Sequence, residues 1–266
     1  MKNPRLQRML SAPFGAEYAW RPSWGFWERS YVHHFGLLDL PSRLRARIVM
    51  PELDRLQLRK VLDLGSGTGC YSFYLSRNNC TDITGVEIDG GRVSESSHIA
   101  KCLGRGNLKF FCGSADQCLK SFPSEAFEMA LVIEVLQYLP NVASILQETY
   151  RVLKPGAYLL GHVPVLGHLR PEERTLFDDH QIQEILLEAH FQIIKIRPTF
   201  GGIPRKLCSL YDRLSRRRML VGVLFPFFLL ASAAFQLENP NGDYRFFLAR
   251  KPAEKMTENR RPKDGS

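Results

Sequence analysis

Three glycines alternate through Asp63-Leu64-Gly65-Ser66-Gly67-Thr68-Gly69, directly after the apolar stretch Val61-Leu62 and before a helical pattern. Glycine there lets the backbone turn sharply and lets a ligand approach without a Cβ in the way, while the helix that follows offers free N–H groups. Phosphate and dinucleotide binders use the same device, so the loop alone does not choose a ligand. Glu87, 18 residues beyond Gly69 at the end of the next apolar run, narrows the choice, because a carboxylate so placed accepts hydrogen bonds from ribose hydroxyls. Cys70 stands where the dinucleotide fingerprint has its third glycine and no Gly-Lys-Ser/Thr triplet follows, which counts against NAD and ATP. Asp63 reads either as a ligand carboxylate or as one satisfied within its own loop. Glu134 leaves an apolar strand at the edge where open α/β sheets bind ligands. His162 follows Leu159-Leu160-Gly161, and an imidazole of ordinary pKa suits removal of a hydroxyl proton. Tyr138 and the pair His33/His34 come second as proton acceptors. No cysteine or histidine grouping has metal-ligand spacing, so no metal is expected.

These residues need a frame that brings strand ends together. From Lys60 onward, short apolar runs at Val61–Leu64, Ile83–Val86, Leu108–Phe111, Met129–Ile133 and Tyr158–Leu160 alternate with helix-length segments. That alternation predicts an α/β fold with a doubly wound, mostly parallel sheet. Gln192–Ile196 and Tyr244–Leu248 are two further strand candidates that close a seven-stranded sheet. Asp178 and Gln181 stand at capping-box spacing before a helix whose Ile182, Ile185, Leu186 and Ala189 share one face. The reading divides the chain into an N-terminal aromatic, helical extension at 1–58, a domain at 59–251 with a helical insertion at about 202–240, and a disordered polar tail at 252–266.

In its motifs the chain resembles the class I S-adenosylmethionine-dependent methyltransferases, in the branch acting on small molecules and lipids. The resemblance rests on Val61 to Gly69, Gly85-Val86-Glu87-Ile88-Asp89, Gly113-Ser114-Ala115-Asp116, Phe127 to Leu136 and Leu153-Lys154-Pro155-Gly156, five motifs in order over about residues 59–164. It implies a Rossmann-like fold whose last strand is antiparallel, and S-adenosyl-L-methionine as cofactor. Gly65, Ser66, Gly67 and Gly69 would pass beneath the methionine and ribose, with Asp63 near the cationic amino group. Glu87 would bind the ribose diol, Ala115 and Asp116 the adenine edge, and Ile133 and Glu134 the methionine amine. Asp116 also reads as a helix N-cap. Leu186-Leu187-Glu188-Ala189-His190-Phe191 is similar to the family's helix end, with His190 where glycine is usual, so a reshaped connection and a structural His190 are expected.

The acceptor is less legible. The fourth-strand segment lacks the Asn/Asp-Pro-Pro-Tyr motif of enzymes that methylate adenine or amide nitrogens, which leaves a small-molecule or lipid-like acceptor, methylated at oxygen with His162 as base. The alternative is a catalytically silent scaffold of the same fold that binds a partner or a membrane. Phe14, Tyr18, Trp20, Trp24, Phe26, Trp27, Tyr31 and Phe35 form an aromatic layer that either lids the pocket or packs an extra helix on the core. Net charge splits unevenly: residues 1–60 carry 11 basic and 5 acidic side chains, 61–150 carry 6 and 10, and 151–266 carry 19 and 12. An acidic chemical core argues against nucleic acid, whereas basic flanks suit an anionic membrane face. Met219 to Phe235 holds no charge and follows Arg213, Arg216, Arg217 and Arg218. At 17 residues with Pro226 inside it is too short to span, so it reads as a buried hairpin or as an interfacial helix. Six cysteines without a CxxC pair, and no secretory signal, imply a cytoplasmic protein with reduced, mostly buried thiols.

Overall fold

The computed structural model describes residues 13–37, 39–77, 81–165, 177–215, 218–234, 237 and 239–253. Seven strands form one sheet: β1 (Lys60–Leu64), β2 (Asp82–Glu87), β3 (Leu108–Cys112), β4 (Phe127–Ile133), β5 (Leu153–Pro164), β6 (Gln192–Thr199) and β7 (Tyr244–Arg250). Their order is β3-β2-β1-β4-β5-β7-β6. Strands β1 to β5 pair in parallel, and β7 runs antiparallel between β5 and β6. All seven expected strands are present. The Leu153–Gly156 turn of the motif reading is instead the start of β5, where Leu153 pairs with Phe127 ahead of an irregularity in the register.

Central parallel strands are covered on both faces and read as unbroken apolar runs. In β4 alternate residues feed two cores. Met129 and Leu131 join Val61, and Ala130 and Val132 join Leu62 and Leu64. The first core is closed by α2 (Leu40–Arg55) through Leu40, Leu44, Val49 and Leu53, by α3 (Cys70–Ser76) through Phe73, and by α4 (Gly90–Cys102) through Ile99, while α1 (Phe26–Phe35) contributes only the buried Val32. The second is closed by α5 (Ala115–Ser121) through Leu119, α6 (Val142–Val152) through Leu146, and α7 (Asp179–Glu188) through Leu186.

Helix α7 opens with the expected capping box: Gln181 N donates to Asp178 Oδ1 at 2.7 Å and Asp178 N to Gln181 Oε1 at 3.0 Å. Its far end departs from expectation. His190 takes the left-handed conformation at φ 64°, so the connection keeps the geometry usually given to glycine rather than being reshaped. The N–H groups of His190 and Phe191 satisfy the carbonyls of Leu187 and Leu186, and the imidazole sits edge-on to Tyr150 at 6.0 Å. These contacts offset the left-handed strain.

Between β6 and β7 lie α8 (Gly202–Ser215) and α9 (Arg218–Ala234), with Pro226 inside the latter. Strand β6 runs parallel to β1, so both helices leave the sheet at the edge that carries the glycine loop. Phe225 and Phe228 of α9 are buried, yet Val223, Phe227 and Leu230 are exposed, so the segment is not the fully buried hairpin considered above. Among the described residues no helix is long and apolar enough to cross a membrane. The expectation of buried thiols fails as well: Cys102 and Cys112 are exposed and Cys70, Cys118 and Cys208 half-buried, all five free. The predicted tail falls almost wholly outside the described residues.

Gly161 of β5 makes room for Phe247 of β7, whose ring would stand 2.0 Å from an added Cβ. Gly161→Ala should therefore lower stability by about 1–3 kcal/mol through overpacking, read as a shifted midpoint in urea unfolding.

Candidate active site

At the end of β1 the chain turns through Gly65, Gly67 and Gly69, all with positive φ (66°, 57° and 83°), into α3. Two of these glycines are needed for different reasons. A Cβ on Gly65 would meet Val135 Cγ2 at 2.3 Å, whereas the nearest atom to a Cβ on Gly67 is Arg92 Nη1 at 4.0 Å. Gly65 is crowded by the protein itself, and Gly67 borders open space. That space is a cavity of about 470 Å³ walled by Asp63, Ser66, Gly67, Ile133, Glu134, Arg45, Tyr71 and Phe14, among others. Glu87 holds the loop from behind, its Oε2 accepting from Gly67 N at 2.9 Å and its Oε1 from Asp89 N at 3.1 Å. A carboxylate oxygen has a second lone pair, so this engagement leaves capacity for a diol.

Asp63 is buried and accepts from Ser72 Oγ at 2.6 Å. Burial pushes its pKa up to about 6 with help from the nearby Glu87, against the hydrogen bond from Ser72. A buried acid so raised gains from an incoming cation. Ser66 Oγ, buried at the same wall, has no hydrogen-bond partner among the described residues.

On the opposite wall Glu134 leaves β4 in a left-handed conformation, φ 55°. Its N–H donates to His162 O at 2.8 Å, and its Oε1 lies 2.8 Å from His162 Nδ1 and 3.5 Å from Arg45 Nε. His162 is fully buried, with Nε2 3.1 Å from Thr199 Oγ1 and its ring stacked on Tyr244 at 5.1 Å. Burial lowers its pKa against the opposing pull of Glu134, which favours the neutral ring. With the ring proton on Nδ1 that N–H donates to Glu134, and Nε2 faces the Thr199 hydroxyl, which also lies 3.4 Å from Tyr244 O. Burial also opposes the charge on Arg45, but Glu134 foremost, with Tyr71 and others, outweighs it and holds that pKa above its ordinary value.

His162, expected at the pocket mouth, is thus enclosed behind Glu134 and does not line the cavity. β6 and Phe200 seal it, and Thr199 lies 37 residues away in sequence, which no local pattern near His162 reveals. Tyr138, half-buried on the 3₁₀ turn Leu136–Tyr138, is likewise absent from the described lining, and His33 and His34 are exposed on α1. Ile133 and Glu134 line the cavity as anticipated. Ala115 is buried and Asp116 half-buried at the start of α5, and neither is among the described lining of the cavity. Asp116 is not the helix cap, since Ser114 Oγ accepts from Gln117 N, and Asp116 pairs with Lys120 at 2.9 Å. Sequence reasoning missed Arg45 and Tyr71, polar side chains on otherwise core-packing helices that carry no local signal.

The N-terminal segment reaches the same cavity. Phe14 lines it, and buried Tyr18 places its hydroxyl 3.0 Å from Thr68 O, 2.7 Å from Thr68 Oγ1 and 2.8 Å from Cys70 Sγ. Arg21 lies over the Tyr18 and Trp24 rings and pairs with Glu95 of α4.

Residues 62–161 match a family described as a methyltransferase domain. This segment is a class I S-adenosylmethionine-dependent methyltransferase domain. Sterol methyltransferase-like 1 of Botryococcus braunii is 30% identical over 143 residues, covering 53% of this chain and 36% of that protein. The chain therefore spans about a third of the length of that relative. O-methyltransferase resE of Aspergillus sclerotiorum is 23% identical over 214 residues, covering 73% of this chain and 79% of its own. Geranyl diphosphate C-methyltransferase from Streptomyces coelicolor A3(2) shares the fold at TM-score 0.59 and 14% identity, over 90% of this chain and 87% of that one.

The cofactor of this methyltransferase domain is S-adenosyl-L-methionine, and the residues present fit it. Gly67 leaves room for a ligand, Ser66 Oγ is buried beside that space, and Asp63 offers a carboxylate to a cationic group. When bound, the cofactor supplies a methyl group on a sulfonium.

Gly67→Val should abolish S-adenosylhomocysteine binding in calorimetry while the protein stays folded, because the side chain enters ligand space at a left-handed position. The Asp63 carboxylate must ionise to receive a cation, so cofactor affinity should rise about tenfold between pH 5 and pH 7. Folded stability from Asp63 runs the other way: its pKa is raised, so the native state binds the extra proton and this contribution is lost as pH climbs through about 6. Asp63→Asn should flatten the affinity profile, and a profile unchanged in that variant excludes Asp63 as the titrating group.

Proposed function

We propose that the protein transfers a methyl group from S-adenosyl-L-methionine to an oxygen of a lipophilic small molecule, and that Glu134 is the group receiving the hydroxyl proton. The observation that carries this reading is the placement of Glu134: it is on the cavity wall, and its carboxylate is oriented from behind by His162 and Arg45. Methyl transfer from a sulfonium is an in-line displacement, so the protein's share is alignment, exclusion of water and acceptance of a proton. Glu134 acts as base at its carboxylate oxygen. His162 and Arg45 act through it as positioning residues, with Arg45 Nε 3.5 Å from Glu134 Oε1. The O-methyltransferase relative, which aligns over most of both chains, supports an oxygen acceptor. Likeness to the sterol 24-C-methyltransferase erg-4 of Neurospora crassa, 35% identical over 98 residues that cover 36% of this chain and 25% of that protein, favours a second reading in which carbon is methylated, in which case Glu134 would stand beside developing positive charge on the acceptor.

The deciding experiment incubates the protein with labelled S-adenosylmethionine and a lipid extract and locates the new methyl group by NMR. A methyl ether is expected, and a C-methyl product overturns the oxygen assignment. With that acceptor, Glu134→Gln should lower kcat by about 10²–10⁴-fold. His162→Ala should cost less, with the pH–rate profile displaced, and His162→Gln should restore part of the rate through its amide donor. A near-normal rate for Glu134→Gln removes general-base chemistry from the site.

A further inference from the structure

Helix α9 has an apolar face that none of the described residues covers. Val223, Phe227 and Leu230, spaced i, i+4 and i+7 and so on one side of the helix, are 76%, 62% and 75% exposed, while Phe225 and Phe228 on the other side are buried. Isolated exposed hydrophobics are ordinary, but a row of three on one helix face is not. Helix α1 extends the surface. Trp27, Tyr31 and Phe35 share one of its faces at i, i+4 and i+8, and Phe26 and Trp27, 75% and 81% exposed, stand edge to face at its tip. The Tyr31 hydroxyl donates to Gly222 O at 3.1 Å, which fixes α1 against α9 one residue before Val223. The Tyr31 and Phe35 rings are 4.7 Å apart, so the residue that anchors α1 to α9 belongs to the aromatic row of α1.

We propose that this two-helix face docks on an anionic lipid bilayer, with Trp27, Phe227 and Leu230 entering the acyl boundary and a basic rim meeting the headgroups. Charge selects the occupant. No charged residue follows Arg218 within α9, whereas α8 beside it exposes Arg205, Lys206 and Arg213 against a single acid, Asp212, and three further arginines, at 216–218, follow in the sequence. A basic rim beside an apolar row with an exposed tryptophan is the composition of an interfacial helix. A second copy of the chain on this face would bring two such rims together, and like charges oppose that pairing. The α8–α9 pair leaves the sheet at the edge that bears Gly67 and Glu134, so docking would set the cavity edge toward the bilayer. The inference does not depend on methyl transfer, because a chain with no transferase activity would still bind vesicles.

The test uses the full-length chain and vesicles of phosphatidylcholine with and without 30% phosphatidylglycerol (about a third anionic, enough to create a surface potential). Wild type should co-sediment with the anionic vesicles at low salt, with binding weakened but not abolished by added salt. Trp27→Ser and, separately, Phe227→Ser/Leu230→Ser should each lower vesicle affinity about tenfold or more, with S-adenosylhomocysteine affinity unchanged. Lipids brominated on the acyl chain should quench wild-type tryptophan fluorescence more than that of Trp27→Phe. Should the α9 double variant misfold, Trp27→Ser on the other helix still decides. Wild type that stays in the supernatant at low salt overturns the proposal. So do serine variants that bind as tightly as wild type, or a solution dimer that the α9 substitutions dissociate.

Discussion

The hydrogen bond between Glu134 and His162 joins the ends of β4 and β5 at the cavity edge, and the surrounding geometry is referred to it. Both the N–H and the carboxylate of Glu134 are engaged by the same residue, one through the His162 carbonyl and the other through Nδ1. Thr199 then ties the imidazole to the end of β6. A non-glycine residue in the left-handed region costs on the order of 1–3 kcal/mol, and hydrogen bonds to a charged group contribute about 1.5–3 kcal/mol each, so the strained backbone persists because its partners over-determine it. The residues on either side inherit that position. Ile133 forms part of the cavity wall, and Val135 packs so closely on the glycine loop that Gly65 admits no side chain. A shift of β4 by a fraction of an ångström would move both walls at once.

The charges around the cavity are arranged in unequal fashion. Glu134 has Arg45 close by, and Glu87 spends its oxygens on backbone N–H groups. Asp63 receives its hydrogen bonds from Ser72 alone, through hydroxyl and backbone, and no cation is paired with it among the described residues, so burial dominates its titration. The loop therefore keeps one carboxylate whose electrostatic need is met only by a ligand.

Much of this was legible in the residues, because central parallel strands are buried on both faces and print as apolar runs, and because the loop's glycines answer to local stereochemistry. The α7 cap was legible for the same reason, two residues three apart satisfying one another. His162 marks where that legibility stops. Its place at the end of β5 could be read, but what covers it could not, since Thr199, Phe200 and Tyr244 arrive from β6, the turn after it and β7. Arg45 was invisible for a related reason: a helix period tells which face meets the core, not that one arginine at its margin will pair with a carboxylate from a strand nearly ninety residues on. His190 shows a third limit, where a rule about which residue prefers a conformation yielded to a neighbouring ring.

Tyr18 joins the N-terminal segment to Thr68 and Cys70, the last residues of the glycine loop and the first of α3. The covering segment and the ligand-holding turn are thereby one mechanical unit rather than a door hung beside a shelf. Arg21, seated between the Tyr18 ring and Glu95, extends that unit to the helix after β2. Strain placed on the glycine loop would therefore be felt at Tyr18 and Arg21, and strain placed on the N-terminal segment at the loop, so the two share one mechanical fate.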